Sequence, residues 1–270
     1  MILLLDGLSI LYRAFHALPP MSTAAGEPTS ALYGFSSLLV KLLREEAPVG
    51  LALALDTPAP TVRHAEFPEY KAGRARMPDG LRAQIDELPV LAAAMGVPVH
   101  RVPGKEADDL LATLARRIAE PTLVVSGDTD RVQVVDDRTT MLFIGRRKKD
   151  HVRYTPASVQ ERYGFEPRLV PTYKAMVGDP ADNLPGISGF GAATARKLCA
   201  TYGDAAAILA ARPDPRLTEA LPRWEALGRL DGAVPLAAPL WAPVDRDGLR
   251  RWFGRWEFKS LLARIPGSSG

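Results

Sequence analysis

The chain has a single cysteine, Cys199, so no disulfide framework can hold it together. That scarcity fits a reducing compartment, and a cytoplasmic location is expected. In "ARKLCATYG" the cysteine falls on a helix pattern, where it reads as a small buried hydrophobe rather than a nucleophile. No apolar run approaches the ~18 residues that a membrane helix needs, so no membrane partner is expected. The start, "MILLLDGLSILYRAF", lacks the basic residues of a secretion signal and meets a charge directly after Leu5. It reads as a strand. Charge of one sign is not in excess either: the net value is +3, so composition alone does not point to nucleic acid. Histidine is scarce, and His16, His64, His100 and His151 form no ligand spacing, which argues against zinc. No G-x-x-x-x-G-K-[ST] stretch occurs, so there is no P-loop. "LLLDGLS" lacks the second aspartate that a phosphoaspartate phosphatase would carry two residues on. "GFGAAT" is half of a dinucleotide fingerprint, but it follows a loop and not a strand. Ser126 has no His–Asp partner set and reads as a packing residue at a strand end.

Three short apolar runs stop at or just before an aspartate: "ILLLD", "LALALD" and "TLVVSGD". Between them lie stretches of helical period, such as "ALYGFSSLLVKLLREE" and "LRAQIDELPVLAAAMG". Apolar strands alternating with helices predict a mostly parallel sheet flanked by helices, an α/β class. "TMLFIGRRKKDHVRYT" predicts a hairpin around a charged turn. From about residue 156 the pattern turns helical, with short helices and loops over the Pro/Ala-rich part. The expected division is an α/β core over 1–155 and a helical part over 156–266, packed as one unit, with 267–270 as a flexible tail.

The acids carry the chemistry. In open parallel sheets, ligands bind outside the carboxyl ends of the strands. Asp6, Asp56 and Asp128 therefore point to one crevice, and Asp130 follows in "GDTD". "GKEADDLLATLARRI" places Ala107, Leu110, Leu111, Leu114, Ala115 and Ile118 on one helix face, with Glu106, Asp108 and Asp109 crowding the first turn. Taken singly, each acid also fits a helix cap or a turn. Together their repulsion amounts to about 4 kcal/mol per close pair at an effective dielectric near 20, so something positive must offset it. All-oxygen ligands point to Mg²⁺ or Mn²⁺.

"ALYGFSSLLVKLL", "TVRHAEFPEYKAGRARMP", "VPGKEADDLLATLA", "SGDTDRVQVV" and "VGDPADNLPGISGFGAATARKL" occur in this order. Together they resemble the 5′ nuclease family: the 5′→3′ exonuclease domain of bacterial DNA polymerase I and the flap endonucleases. The resemblance covers essentially the whole chain. It extends to "FGRWEFKSLLARI", which is similar to the close of the nuclease domain in Thermus-type polymerases. It implies a PIN/5′-nuclease-like fold whose helical part carries a helix–three-turn–helix over about 174–202. There Gly186, Gly189 and Gly191 let the backbone approach a DNA phosphate, the helix beginning near Ala192 offers free N–H groups, and Lys197 lies on the DNA side. A potassium ion often bridges that element to phosphate in the family.

Mapped onto this sequence, the resemblance implies Asp6, Asp56, Glu106 and Asp108 around one metal and Asp128, Asp130, Asp179 and Asp182 around a second. Asp109 also matches a family acid. Two Mg²⁺ ions, replaceable by Mn²⁺, would serve phosphodiester hydrolysis. An arch over about 57–85 would guide a 5′ strand, with Arg63 and Tyr70 on the DNA and Lys71 and Arg74 at the scissile phosphate. Arg13 and His16 match the first helix and are expected near the cut. The "GRRKK" tip is expected to be solvated. Thr129 stands where the family commonly has a basic residue. The implied activity is a 5′→3′ exonuclease and flap endonuclease. It would act on nicks, flaps, 5′ ends and RNA primers on DNA, as a bacterial monomer near the nucleoid, acting with a DNA polymerase. The chain ends where a polymerase would begin, so it is expected to be a stand-alone nuclease or an excised domain. Two rivals are a PIN-type ribonuclease, usually smaller and without the glycine turn, and a flap-binding module that has lost its metals. The complete acidic set argues against the second.

Overall fold

The computed structural model describes residues 1–73, 76–145 and 147–266. Arg74, Arg146 of the charged turn and the expected tail over 267–270 lie outside the described residues.

Among the described residues, six strands form one sheet in the order β3-β2-β1-β4-β5-β6. They are β1 (Ile2–Asp6), β2 (Gly50–Ala54), β3 (Val99–His100), β4 (Thr122–Ser126), β5 (Thr139–Phe143) and β6 (Val152–Tyr154). The first five run parallel, and β6 pairs antiparallel with β5, closing the expected hairpin. The helices α1 (Gly7–Ala17), α2 (Ser30–Glu45), α3 (Val62–Glu66), α4 (Asp79–Ala94) and α5 (Ala107–Arg117) lie between the strands. After β6 come α6 (Pro156–Tyr163), α7 (Val170–Val177), α8 (Ala192–Tyr202), α9 (Ala205–Ala211), α10 (Pro215–Gly228), α11 (Arg246–Arg255) and α12 (Lys259–Leu262). The α/β class and the helical second part are as the sequence implies.

Side chains alternate across a strand, so "ILLLD" feeds two cores. Ile2 and Leu4 join Ala52, Ala54 and Val124 under α5 and the later helices. Leu3 and Leu5 join Leu51, Leu53, Leu123 and Val125 under α1, α2, α4 and α11. All are essentially inaccessible to solvent. Burying each leucine contributes about 1.5–3 kcal/mol, which is why these strands are continuous apolar runs rather than alternating ones.

The chain moves outward from β1 to β2 and β3, then returns to the other side of β1 with β4. The order in which strands are added therefore reverses between β1 and β4. A crevice opens at such a switch point, outside the carboxyl ends of the strands. Asp6 ends β1, and Asp128 lies just beyond β4. Among the described residues, no helix is long and apolar enough to cross a membrane.

Candidate active site

Each acid is held by the element that delivers it. Asp6 caps α1: one carboxylate oxygen accepts the Ser9 N–H at 3.1 Å, and the other accepts the Ser126 hydroxyl at 2.7 Å. Ser126 also accepts the Asp128 N–H at 3.1 Å. It thus ties two acids together, a larger role than strand-end packing. Asp56 follows β2 and accepts the Ala107 N–H at 2.8 Å, at the start of α5. Glu106 caps α5 in a reciprocal box with Asp109. Asp128 caps the 3₁₀ turn Thr129–Val134 by accepting the Asp130 N–H. Asp179 lies in a tight loop closed by its backbone pairing with Leu184, and it accepts the Ala181 N–H at 2.9 Å. Asp6, Glu106, Asp130, Asp179 and Asp182 are all buried.

The expected positive offset is partly supplied by the chain itself. Arg131 places its guanidinium against Asp6 and Asp128, at 2.8 Å each, and against Asp108. Lys71 Nζ donates to Glu106 at 2.6 Å and lies 3.9 Å from Asp182. Lys174 bridges Asp179, at 2.7 Å, and Asp130. Sequence reasoning singled out neither Arg131 nor Lys174. Arg131 has a signal in retrospect: it is the basic residue inside "GDTDRVQVV", where Thr129 is not.

These neighbours push the acids apart in acidity. Burial, with repulsion from Asp6 and Glu106, raises the Asp56 carboxyl above its ordinary range despite the Ala107 N–H. Burial, helped by Asp6 and Asp56, likewise raises Asp108 against the pull of Arg131. Burial opposes ionisation of Glu106 too, but Lys71 and Arg63 outweigh it and lower its pKa. Asp128 is lowered in the same way by Arg131 and Lys174. Carboxylates split in this manner are the usual mark of a functional crevice. Asp56, Glu106 and Lys71 line a groove of about 430 Å³ together with Thr61 and His64.

The fit of a divalent ion can be judged from the donors. They are all carboxylate, with neither His nor Cys among them, and a buried cation already rests on three of them. Donor type and charge fit a hard cation. Among the described residues, no three His, Cys, Asp or Glu stand grouped as a metal cage. The oxygens are engaged by Arg131, Lys71 and Lys174 instead.

Several expected contacts are corrected. Arg63 does not face DNA. It is buried, bonded to both Asp109 oxygens at 2.7 and 2.8 Å, to Glu106 at 3.1 Å, and to the Leu227 and Arg229 carbonyls. "TVRHAEF" lies in the expected arch, but it folds as α3 and turns Arg63 inward. Asp109 is therefore not free to bind metal, since Arg63 and the N–H groups of Glu106 and Asp231 occupy its oxygens. Tyr70 is buried and donates its hydroxyl toward Glu106 and Asp182, so its ring is not open to a base. Gly186 is required by the packing of the chain itself. It sits at φ 72°, and a Cβ there would lie 2.6 Å from the backbone of Val177 and Gly178.

Other expected residues sit where DNA could reach them. Gly189, at φ 88°, and Gly191 are exposed. Gly191 precedes α8 with no side-chain cap, and Ala192, Ala193 and Thr194 are exposed, leaving first-turn N–H groups open. Lys197 is exposed on the same helix. Arg13 is half-buried, donating to the Gly127 carbonyl at 2.6 Å beside Asp128. His16 is exposed at the end of α1, edge-on to Phe15.

The model of the 5′–3′ exonuclease N-terminal resolvase-like domain matches residues 1–164, and that of the 5′–3′ exonuclease C-terminal SAM fold matches 165–228. DNA polymerase I of Mycobacterium tuberculosis is 40% identical over 284 residues, covering 98% of this chain and 31% of that protein. The chain thus spans under a third of that curated relative. The 5′–3′ exonuclease of Aquifex aeolicus is 39% identical over 209 residues, covering 76% of this chain and 71% of its own. Among solved structures, the bacteriophage T5 D15 flap endonuclease, in a pseudo-enzyme–product complex with DNA and metal ions, aligns with a TM-score of 0.67. It covers 98% of each chain at 18% identity, a likeness of fold. The chain belongs to the 5′–3′ exonuclease family.

Proposed function

We propose that this chain hydrolyses DNA phosphodiesters at nicks, 5′ ends and 5′ flaps with Mg²⁺, or Mn²⁺ in its place, at the acid cluster, in primer removal and repair. The observation that carries this reading is the convergence of carboxylates from two strand ends, the α5 cap and the Asp179–Asp182 loop beside an uncapped α8. Asp6, Asp56, Glu106, Asp108, Asp128, Asp130, Asp179 and Asp182 would hold the metal ions. Bound there, the ions would activate a water and neutralise the leaving oxygen.

The chain's own residues do the rest. Lys71 lies among the acids and would present its ammonium to the scissile phosphate, adding charge where the transition state gathers it. Arg74 would act with it. The α8 N-terminus, with Gly189 and Gly191, would take a duplex phosphate away from the cut, and Lys197 a neighbouring one. A potassium ion could share that contact. The same loop carries Asp179 and Asp182, so one segment would fix the distance from held duplex to cut. The chain would act as a monomer, in partnership with a DNA polymerase.

A 5′-labelled flap tests the proposal. Cleavage is expected with Mg²⁺ and none with EDTA. Asp56→Asn is expected to abolish cleavage while flap affinity stays within a few-fold. Turnover in EDTA, or normal turnover by Asp56→Asn, would refute the reading.

A further inference from the structure

Two buried arginines sit near the acids, and they differ in kind. Arg63 is satisfied throughout: Nε donates to the Leu227 carbonyl, and the terminal nitrogens bond Asp109, Glu106 and the Arg229 carbonyl. Two of its partners are backbone carbonyls at the C-terminal end of α10. Arg131 is just as deeply buried, yet among the described residues its guanidinium pairs only with carboxylates: Asp6, Asp108 and Asp128. Among the described residues its Nε has no acceptor, and Nη1 lies 2.8 Å from Asp128 without good hydrogen-bond alignment. A buried donor without an acceptor costs free energy. So Arg131 is held by charge rather than by a fitted hydrogen-bond pocket.

All three of its partners are candidate metal ligands, and a divalent cation and a buried guanidinium compete for one set of carboxylates, because the two cations repel each other there. Asp128 is 34% exposed at its side chain, which opens the group to an incoming ion. Lys174 also rests on carboxylates alone, but it is more exposed and flexible, and it takes only Asp130 and Asp179.

We propose that Arg131 is a built-in cationic occupant of the acid cluster, holding Asp6, Asp108 and Asp128 until a divalent cation displaces it. The inference rests on the metal-dependent reading above. It carries two consequences. Without metal, Arg131 relieves repulsion among the acids and stabilises the fold. With metal, the arginine–carboxylate pairing lowers apparent affinity by the fraction of molecules in which the oxygens are free.

The test is direct binding of Mn²⁺ to the full chain without DNA, read as free Mn²⁺ by electron paramagnetic resonance, for wild type, Arg131→Met and Arg131→Lys. Arg131→Met is expected to bind Mn²⁺ more tightly, by roughly the 5- to 150-fold usual for coupled sites. In EDTA it is expected to melt below wild type, with the gap narrowing at saturating Mn²⁺. Arg131→Lys, with a shorter cation, is expected to fall between the two and keeps the test open if Arg131→Met fails to fold. Unchanged or weaker Mn²⁺ affinity in the variant that folds, with wild type still binding and Asp56→Asn weakening that binding, overturns the proposal alone. Absence of Mn²⁺ binding in wild type, variants and Asp56→Asn alike overturns the metal reading and this proposal with it.

Discussion

Lys71 is one of few non-glycine residues with positive φ, at 59°, and its N–H donates to the Asp182 carbonyl. That backbone conformation costs on the order of 1 kcal/mol, so the surroundings must hold it. They also fix the side chain, which bonds Glu106 and lies over the Tyr70 ring. Burial, with the Glu106 and Asp182 carboxylates, raises the Tyr70 phenol far above its ordinary pKa, so it stays a donor. Lys71→Ala is expected to lower the single-turnover cleavage rate by on the order of 10²-fold, with a smaller change in flap affinity. A rate within two- or three-fold of the parent would leave Lys71 a passive strand guide. Cys199 gives a second expectation. Burial pushes its thiol up to about 12, so a thiol reagent should label it only after unfolding. Rapid labelling of the native protein would contradict that. At this scale the acids were legible because strands that end in Asp announce themselves. Arg131, Lys174 and the inward turn of Arg63 were not, because a basic residue looks the same in sequence whether its partner is water or a buried carboxylate.

Among the elements, α8 is the one whose chemistry depends on what is missing. Gly191 sits at φ −70°, where any residue fits, and a Cβ there would meet nothing within 4 Å. Its lack of a side chain is not demanded by packing. It leaves the first N–H groups of α8 uncapped. Aspartate is a good N-cap, and Gly191→Asp should change stability by only a few tenths of a kcal/mol, in the favourable direction. The same carboxylate would occupy the N–H groups and repel phosphate. Affinity for a nicked duplex should fall, and the slope of log affinity against log salt should drop by about one phosphate contact. Unchanged affinity and slope across a salt titration, with an unchanged melting temperature, would remove α8 from the DNA interface. The hairpin β5–β6 and the α5 face were readable from period alone. Strand β3, two residues long, is below the length at which periodicity means anything. Helix α3, five residues inside the expected arch, is likewise too short to show a helical period.

For the whole molecule, one hydrophobic cluster runs from Ile2 and Leu4 of the sheet through α5 into Met176, Leu198 and Leu221 of the helical part. Arg63 fastens the same two halves at the edge of the active site, joining Asp109 of α5 to carbonyls at the end of α10. Burial works against the Asp109 charge, but Arg63 and the Asp231 and Glu106 N–H groups win and lower its pKa. The native state therefore binds that proton more weakly than the unfolded chain does. Stability from this pair is complete above the ordinary carboxylate pKa of about 4 and drains away as pH falls through the lowered native value. Asp109→Asn would take from the buried Arg63 the carboxylate that both its terminal nitrogens bond and leave it Glu106 alone as a counter-charge, a loss of at most about 3–5 kcal/mol at neutral pH. Denaturant unfolding of the two proteins from pH 7 downward decides it. The variant should start lower and show a shallower decline below about pH 4, because the titrating group is gone. Parallel curves separated by a constant amount would mean that Asp109 titrates alike in both states and that its charge adds nothing to the Arg63 brace between the sheet and the helices.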